Sequence, residues 1–215
     1  PTLYMRSGFA ATGLREDQRR FASTPESIAR IVESVQRQTK DDARINVGIA
    51  LHSLRAVPPA ALNELATYAH AKSLPVHIHI AEQTQEVQDC LTWSGQRPVA
   101  WLLDHAPVDA RWCLVHATHM TPDEYRRAAL SGAVAGICPS TEANLGDGLC
   151  DLPGWLAAGV PMAPAGPQAD VVPADLGVQA DGRGRRPACR GSGKRRRLAW
   201  EIGRASCRER VSSPV

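Results

Sequence analysis

Between Val76 and Ile80 the chain alternates apolar and polar residues without exception, V-H-I-H-I. A period of two places Val76, Ile78 and Ile80 on one face of a β-strand and both histidines on the other. Further strands are predicted over Pro1–Met5, 46–51 (N-V-G-I-A-L), Arg111–His116 (R-W-C-L-V-H), Ala133–Cys138 and Gly159–Ala163. Between them the apolar period lengthens. Thr24-Pro25-Glu26 supplies a cap, a proline at the first helical position and an early acid, ahead of a stripe of Ile28, Ile31, Val32 and Val35. Pro58-Pro59 opens a second helix with Leu62, Leu65, Ala66 and Ala69 inward. Gln85–Trp93 and Pro98–His105 follow, parted at Ser94-Gly95, and Thr121-Pro122-Asp123-Glu124 starts another helix with a capping box. Residues 139–148 are expected to form a loop, and Leu152–Ala158 a short helix.

Strands alternating with helices predict an α/β fold of parallel βα units. Polar side chains gather where strands end: His52 and Arg55, His79 and Glu82, His116 and His119, then Ser140, Thr141, Glu142 and Asn144. In a (β/α) barrel those ends share one mouth, where active sites are built. A doubly wound sheet is the competing architecture, but no G-x-G-x-x-G loop follows any strand.

Each polar residue also has a plain structural reading. Histidines on a covered strand need partners, because an unpaired buried polar group costs about 1–3 kcal/mol. His77 and His79 could be hydrogen-bonded core residues, or neutral imidazoles that bind metal beside a proton-moving carboxylate. Arg55 could be a surface ion-pair partner or a substrate-gripping guanidinium. His119 could orient the mouth or cap the next helix, and Glu142 and Asn144 could be ordinary loop residues beside a Gly146-Asp147-Gly148 turn.

At 215 residues the chain can bury a sizeable core. It has no apolar run long enough to span a bilayer and no signal-peptide pattern, and it is expected to begin inside a larger domain. Its six cysteines form no C-x-x-C pair, which disfavours zinc-finger and disulfide frameworks and fits a cytoplasmic setting. The net charge of +3 conceals an asymmetry. Residues 181–215 hold 11 Lys and Arg against 3 acids, whereas the preceding residues hold 14 against 19. Hydrophobic periodicity stops after Met162. Residues 164–215 are therefore expected to be a disordered basic tail, unable to bury enough apolar surface to fold. A nucleic-acid-binding arm is one reading of such a tail. Translated adapter sequence is favoured over Glu201–Val211 (E-I-G-R-A-S-C-R-E-R-V), after a frameshifted segment.

Four segments, in order and compatibly spaced, carry a resemblance: H-S-L-R-A-V (His52–Val57), H-I-H-I-A-E-Q (His77–Gln83), W-C-L-V-H-A-T-H (Trp112–His119) and S-T-E-A-N-L-G-D-G (Ser140–Gly148). Together they resemble the formimidoylglutamate deiminases, the histidine-degradation branch of the amidohydrolase superfamily. The resemblance covers about Leu3 to Met162. It implies a (β/α)₈ TIM barrel, here partial (residues 1–163), lacking the first strands and the end of the last, with one Zn²⁺ as cofactor. It implies His79 as a metal ligand, Glu82 as the proton-shuttling carboxylate, His116 as the histidine beside the activated water, and His52 and Arg55 as substrate-holding residues. The implied substrate is N-formimidoyl-L-glutamate, converted to N-formyl-L-glutamate and ammonia. No membrane or nucleic-acid partner is implied, and a homodimer is open for the full-length parent. The family's first-strand His-x-His pair has no counterpart before Leu3. Its metal-binding aspartate has none after Ala163, where Pro164-Ala165-Gly166-Pro167 stands and Asp170 lacks the surrounding motif. This polypeptide is therefore expected to bind zinc weakly and to be inactive. Two other functions compete: an amidohydrolase deaminase acting on a purine or pyrimidine ring, and nucleic-acid binding through the tail.

Overall fold

The computed structural model describes residues 1–11 and 13–164. Among them six parallel strands form one sheet: β1 (Thr2–Leu3), β2 (Ile49–Ser53), β3 (Val76–Ile80), β4 (Trp112–His116), β5 (Val134–Ile137) and β6 (Met162–Pro164). Their order in space is their order in the chain. A doubly wound sheet must reverse its order at a switch point. This sheet never does, so the competing architecture is excluded and a barrel-type arc remains. Beyond Pro164, the expectations for the basic tail and for Asp170 lie outside the described residues.

Among the described residues seven α-helices connect the strands: α1 (Pro25–Gln38), α2 (Pro59–Ala71), α3 (Thr84–Ser94), α4 (Pro98–His105), α5 (Pro122–Ser131), α6 (Pro139–Leu145) and α7 (Leu152–Ala158), with a 3₁₀ turn at Glu16–Phe21. Their starts follow from local chemistry. The Thr24 hydroxyl accepts from the Ser27 N–H at 3.2 Å, and Thr121 from Glu124 at 3.3 Å. Glycines at 95, 132, 146 and 159 stop helices in the left-handed conformation that a side chain resists. Residues 139–145, expected as loop, form helix α6. In α1, Ile28 and Val32 are buried but Ile31 is 46% exposed, so the inward stripe is narrower than its apolar residues suggested.

The core lies between the helices and one face of the sheet. Ile49 and Leu51 from β2, Val76, Ile78 and Ile80 from β3, and Trp112 and Leu114 from β4 pack there against Leu62, Leu65, Val87, Leu102 and Trp155. Ala50, His77 and Cys113 lie level with one another on the other face, as the strand register requires. Among the described residues the cysteines at 90, 113, 138 and 150 are free thiols. Burial pushes Cys113 up to about 12, which makes it inert near neutral pH. No helix among the described residues is long and apolar enough to cross a membrane.

One buried cation shapes the turn after β2. Arg6 is only 8% exposed. Its Nε donates to the Arg55 carbonyl at 3.1 Å, and its terminal nitrogens donate to the carbonyls of Phe9 and Leu54, both at 2.9 Å. The Trp93 ring lies against the guanidinium, 5.6 Å from its centroid. Carbonyl oxygens pointing inward from a turn would otherwise be orphaned. A five-donor fork satisfies several at once, which a lysine cannot.

Two outcomes test this packing. Leu114→Ala, at a fully buried position in a central strand, is expected to cost about 2–5 kcal/mol. Urea unfolding reads that loss as a lower midpoint at unchanged slope. Arg6→Met keeps the apolar stem but removes the donors. Hydrogen exchange at the Ala56 and Val57 amides, which bond the Ser53 carbonyl, is then expected to quicken by roughly 10–100-fold, the equivalent of losing one charged hydrogen bond.

Candidate active site

Each candidate residue belongs to the C-terminal end of a strand or the turn just past it. Tyr4 follows β1, His52 and His79 lie in β2 and β3, and His116 ends β4. Their rings form a continuous series across adjacent strands. Centroids are 4.6 Å apart for Tyr4 and His52, 5.1 Å for His52 and His79, and 5.5 Å for His79 and His116.

Simple alternation does not produce this series. His79 lies on the face opposite the helices, as its period predicts. His116, however, shares its register level with Ile80, whose side chain is in the helix-facing core. Parity would send His116 there too. It has φ 68°, and Ala117 after it has φ 47°. These left-handed values, uncommon for residues with a Cβ, turn the chain so that the imidazole meets His79 instead. The same device operates one strand earlier. Ala81 has φ 48° and redirects Glu82, which strand parity would place with Ile80. In β2 the register slips between Leu51 and Ser53, a bulge beside His52. Such bulges re-aim side chains next to sites.

The hydrogen bonds define which atoms face the site. His79 Nδ1 lies 2.8 Å from the His52 carbonyl oxygen. A carbonyl only accepts, so Nδ1 carries the hydrogen and the neutral ring keeps its lone pair on Nε2. That is the form in which an imidazole binds a metal, so His79 suits the role of ligand. His116 stands between two carboxylates. Its Nε2 is 3.3 Å from Glu82 Oε1, and its Nδ1 is 3.1 Å from Glu142 Oε1. All three side chains are essentially sealed from solvent, Glu82 at 0% and Glu142 at 1%. This contact between His116 and Glu82 sets an imidazole nitrogen against a carboxylate oxygen where neither side chain meets solvent. His77 is also buried, one layer below. Desolvation, with His79 close by, lowers its pKa to about 4, so it is neutral at pH 7.

Supporting residues hold these groups from behind. Glu86, on the first turn of α3, accepts the N–H of Ala81 at 3.2 Å and of Glu82 at 3.1 Å, bracing the left-handed bend. Burial raises its carboxyl pKa, against the attraction of Arg55. Arg55 therefore lies within electrostatic reach of Glu86, and its Nε is buried without a hydrogen-bond partner. His119 Nε2 donates to the Asp147 carbonyl at 2.8 Å, and Gln83 donates to the Asp147 carboxylate at 2.9 Å. Together they draw the turn after α6 against the ends of β3 and β4.

Glu86 escaped the sequence reading, which noted Glu142 at a strand end without assigning it a role. Glu142 was one of several polar residues beside a glycine turn. The signal that would have found it was Pro139 followed by an acid within one turn, the same start that marks α1 and α5. Glu86 had no signal, because its partners are backbone amides. His116, Cys138 and Glu142 bring ligand-type atoms within 4.8 Å of one another. Hydrogen bonds account for that closeness, since Glu142 Oε1 also accepts the Cys138 N–H at 3.3 Å.

The chain is 48% identical over 159 residues to formimidoylglutamate deiminase of Pseudomonas aeruginosa, an alignment covering 74% of this chain and 35% of that protein. It resembles the crystal structure of an amidohydrolase from Brucella melitensis with a TM-score of 0.73 and 46% identity, over 80% of this chain and 38% of that one. An adenosine deaminase from Xanthomonas campestris, solved with bound zinc, matches with a TM-score of 0.62 and 31% identity over 67% of this chain and 33% of its own. The chain thus spans about a third of the length of the relatives it matches. Residues 3–165 match the sequence profile of the Amidohydrolase family, and the chain belongs to that family.

Proposed function

We propose that these residues are the proton-transfer and substrate-holding part of a formimidoylglutamate deiminase. The reaction is hydrolysis of N-formimidoyl-L-glutamate to N-formyl-L-glutamate and ammonia. The observation that carries the reading is the buried contact of Glu82 with His116 Nε2 at 3.3 Å, beside a His79 whose tautomer leaves Nε2 as its ligand atom. The 48% identity to the Pseudomonas aeruginosa enzyme supports N-formimidoyl-L-glutamate as the substrate.

His79 would hold the zinc ion through Nε2, together with ligands that are not among the described residues. Bound there, zinc would lower the pKa of a coordinated water to about 7. Glu82 handles the water's two protons in turn. Its carboxylate takes the first as the new C–O bond forms and passes it to the imino nitrogen. The second leaves the same oxygen as the carbonyl forms, and departs with the nitrogen as ammonia. His116, able to donate from Nε2 as well as Nδ1 in its doubly protonated form, stabilises the oxygen of the tetrahedral centre. Arg55 grips a substrate carboxylate, for which its partnerless buried Nε provides a donor. His52, with Nδ1 3.1 Å from the Ser53 hydroxyl, lines the substrate side.

A purine deaminase is the alternative, favoured by the 31% identity to the Xanthomonas campestris adenosine deaminase. Arg55 argues against it, since a neutral base offers a guanidinium no carboxylate. Because the chain covers a third of its relatives, the decisive test uses a chimera. Its residues 3–163 replace the aligned segment of the Pseudomonas aeruginosa deiminase. With zinc supplied, the chimera is expected to release ammonia from N-formimidoyl-L-glutamate and not from adenosine. Glu82→Gln is expected to lower kcat by about 10²–10⁴-fold, the usual worth of a general acid–base group. Arg55→Met is expected to raise KM more than it lowers kcat. Preference for adenosine, or full activity in Glu82→Gln, would overturn the assignment.

A further inference from the structure

We propose that Glu142 is a positioning residue: its carboxylate holds the Nδ1–H of His116 and thereby aims Nε2 at Glu82 and the reacting centre. The role in catalysis rests on the deiminase reading above; the structural relation does not.

Three observations carry it. First, Glu142 Oε1 lies 3.1 Å from His116 Nδ1 in a setting that excludes water, with Glu142 1% and His116 3% exposed. A carboxylate is buried at a cost of several kcal/mol unless hydrogen bonds compensate. Here the compensation is the imidazole and the Cys138 N–H, 3.3 Å from the same oxygen. Second, the carboxylate cannot wander. It projects from the first turn of α6, whose backbone is anchored where the Thr141 and Glu142 N–H groups bond the Cys138 carbonyl at 3.0 and 3.1 Å. Third, His116 needs such an anchor. Its backbone is in the left-handed region at φ 68°, away from the rotamer restraints of a regular strand. A half-turn of the ring would put a carbon where Nδ1 now is and another where Nε2 now faces Glu82. A charged acceptor on Nδ1 makes that half-turn costly, because it would strand a buried carboxylate.

The consequence is a fixed tautomer. An acceptor-only carboxylate on Nδ1 requires a hydrogen there, whether the ring is neutral or cationic. Nε2 then always presents the same atom to Glu82, and the ring does not trade its two nitrogens between tasks. Glu142 is 1% exposed in this arrangement and acts through His116.

The test reads the ring directly in the 215-residue chain, so it does not depend on deiminase activity. With ¹⁵N-labelled histidine, long-range ¹H–¹⁵N spectra assign the ring, using His116→Gln to identify its signals. The wild-type chain is expected to show His116 protonated at Nδ1, with that proton shifted strongly downfield by its charged acceptor. In the isosteric Glu142→Gln, the amide oxygen still accepts, so Nδ1 is expected to stay protonated while its proton moves upfield. In Glu142→Ala, the ring is expected to lose its single tautomer. A wild-type ring with its lone pair on Nδ1, or a Nδ1 proton unmoved in Glu142→Gln, would overturn the proposal. Should Glu142→Ala fail to fold, those two spectra alone decide it. If the proposal holds while the chimera proves inactive on N-formimidoyl-L-glutamate, the positioning stands and the substrate assignment falls.

Discussion

The site depends on a backbone constraint at the ends of two neighbouring strands. Ala81 after β3, and His116 with Ala117 at the end of β4, all adopt left-handed φ. Without these bends the alternation that builds the core would carry Glu82 and His116 in among the helices. Each bend costs about 1–3 kcal/mol for a residue with a side chain. The surroundings hold them in place. Glu86 takes the N–H groups of Ala81 and Glu82, while Ala117 N–H bonds the Ile80 carbonyl and His119 N–H bonds that of Ala81. The two bends therefore brace each other across the β3–β4 ladder.

Charge burial is the second theme, and it follows from the first. Turning Glu82 and His116 inward places ionisable groups where water cannot solvate them. The fold answers with further buried polar groups: Glu142 on His116, Glu86 on the bend, and Arg6 under the turn that carries Arg55. Each lies in a connection or helix outside the strand it supports. Thus α3 and α6 do more than cover the sheet, because their first turns deliver the carboxylates that fix the strand ends. The same logic explains the left-over donor at Arg55, whose neighbours fix its backbone while leaving Nε without an acceptor.

Much of the architecture was legible in the chain because it arises from local rules. The V-H-I-H-I run, the Thr-Pro starts of α1 and α5 and the glycine stops are short-range physics, and the elements formed where those rules placed them. Strand ends were less legible. β2 runs Ile49–Ser53, displaced from the expected 46–51, because Gly48 is packed against the Pro75 carbonyl and the ladder begins beyond it. Helix α6 was masked by the turn signal that follows it, although Pro139 and Glu142 marked its start. At the site, His52, His79 and His116 were visible as polar residues at strand ends, and their rings do lie in series. Glu142 looked ordinary, and Arg6 drew no attention, because the partners of both are distant in sequence or belong to the backbone.

Pattern alone was therefore enough to establish parallel βα units, the helix-facing core and the strand tips as the place for chemistry, since periodicity and capping act between residues a few positions apart. The folded chain decided the rest: that the strands pair in sequential order, that His79 keeps its lone pair on Nε2, and that His116 is held between Glu82 and Glu142. These depend on φ angles and on contacts spanning from 26 to 49 residues. No local pattern encodes such angles or contacts, because each exists only once the neighbouring strand is in place to make it.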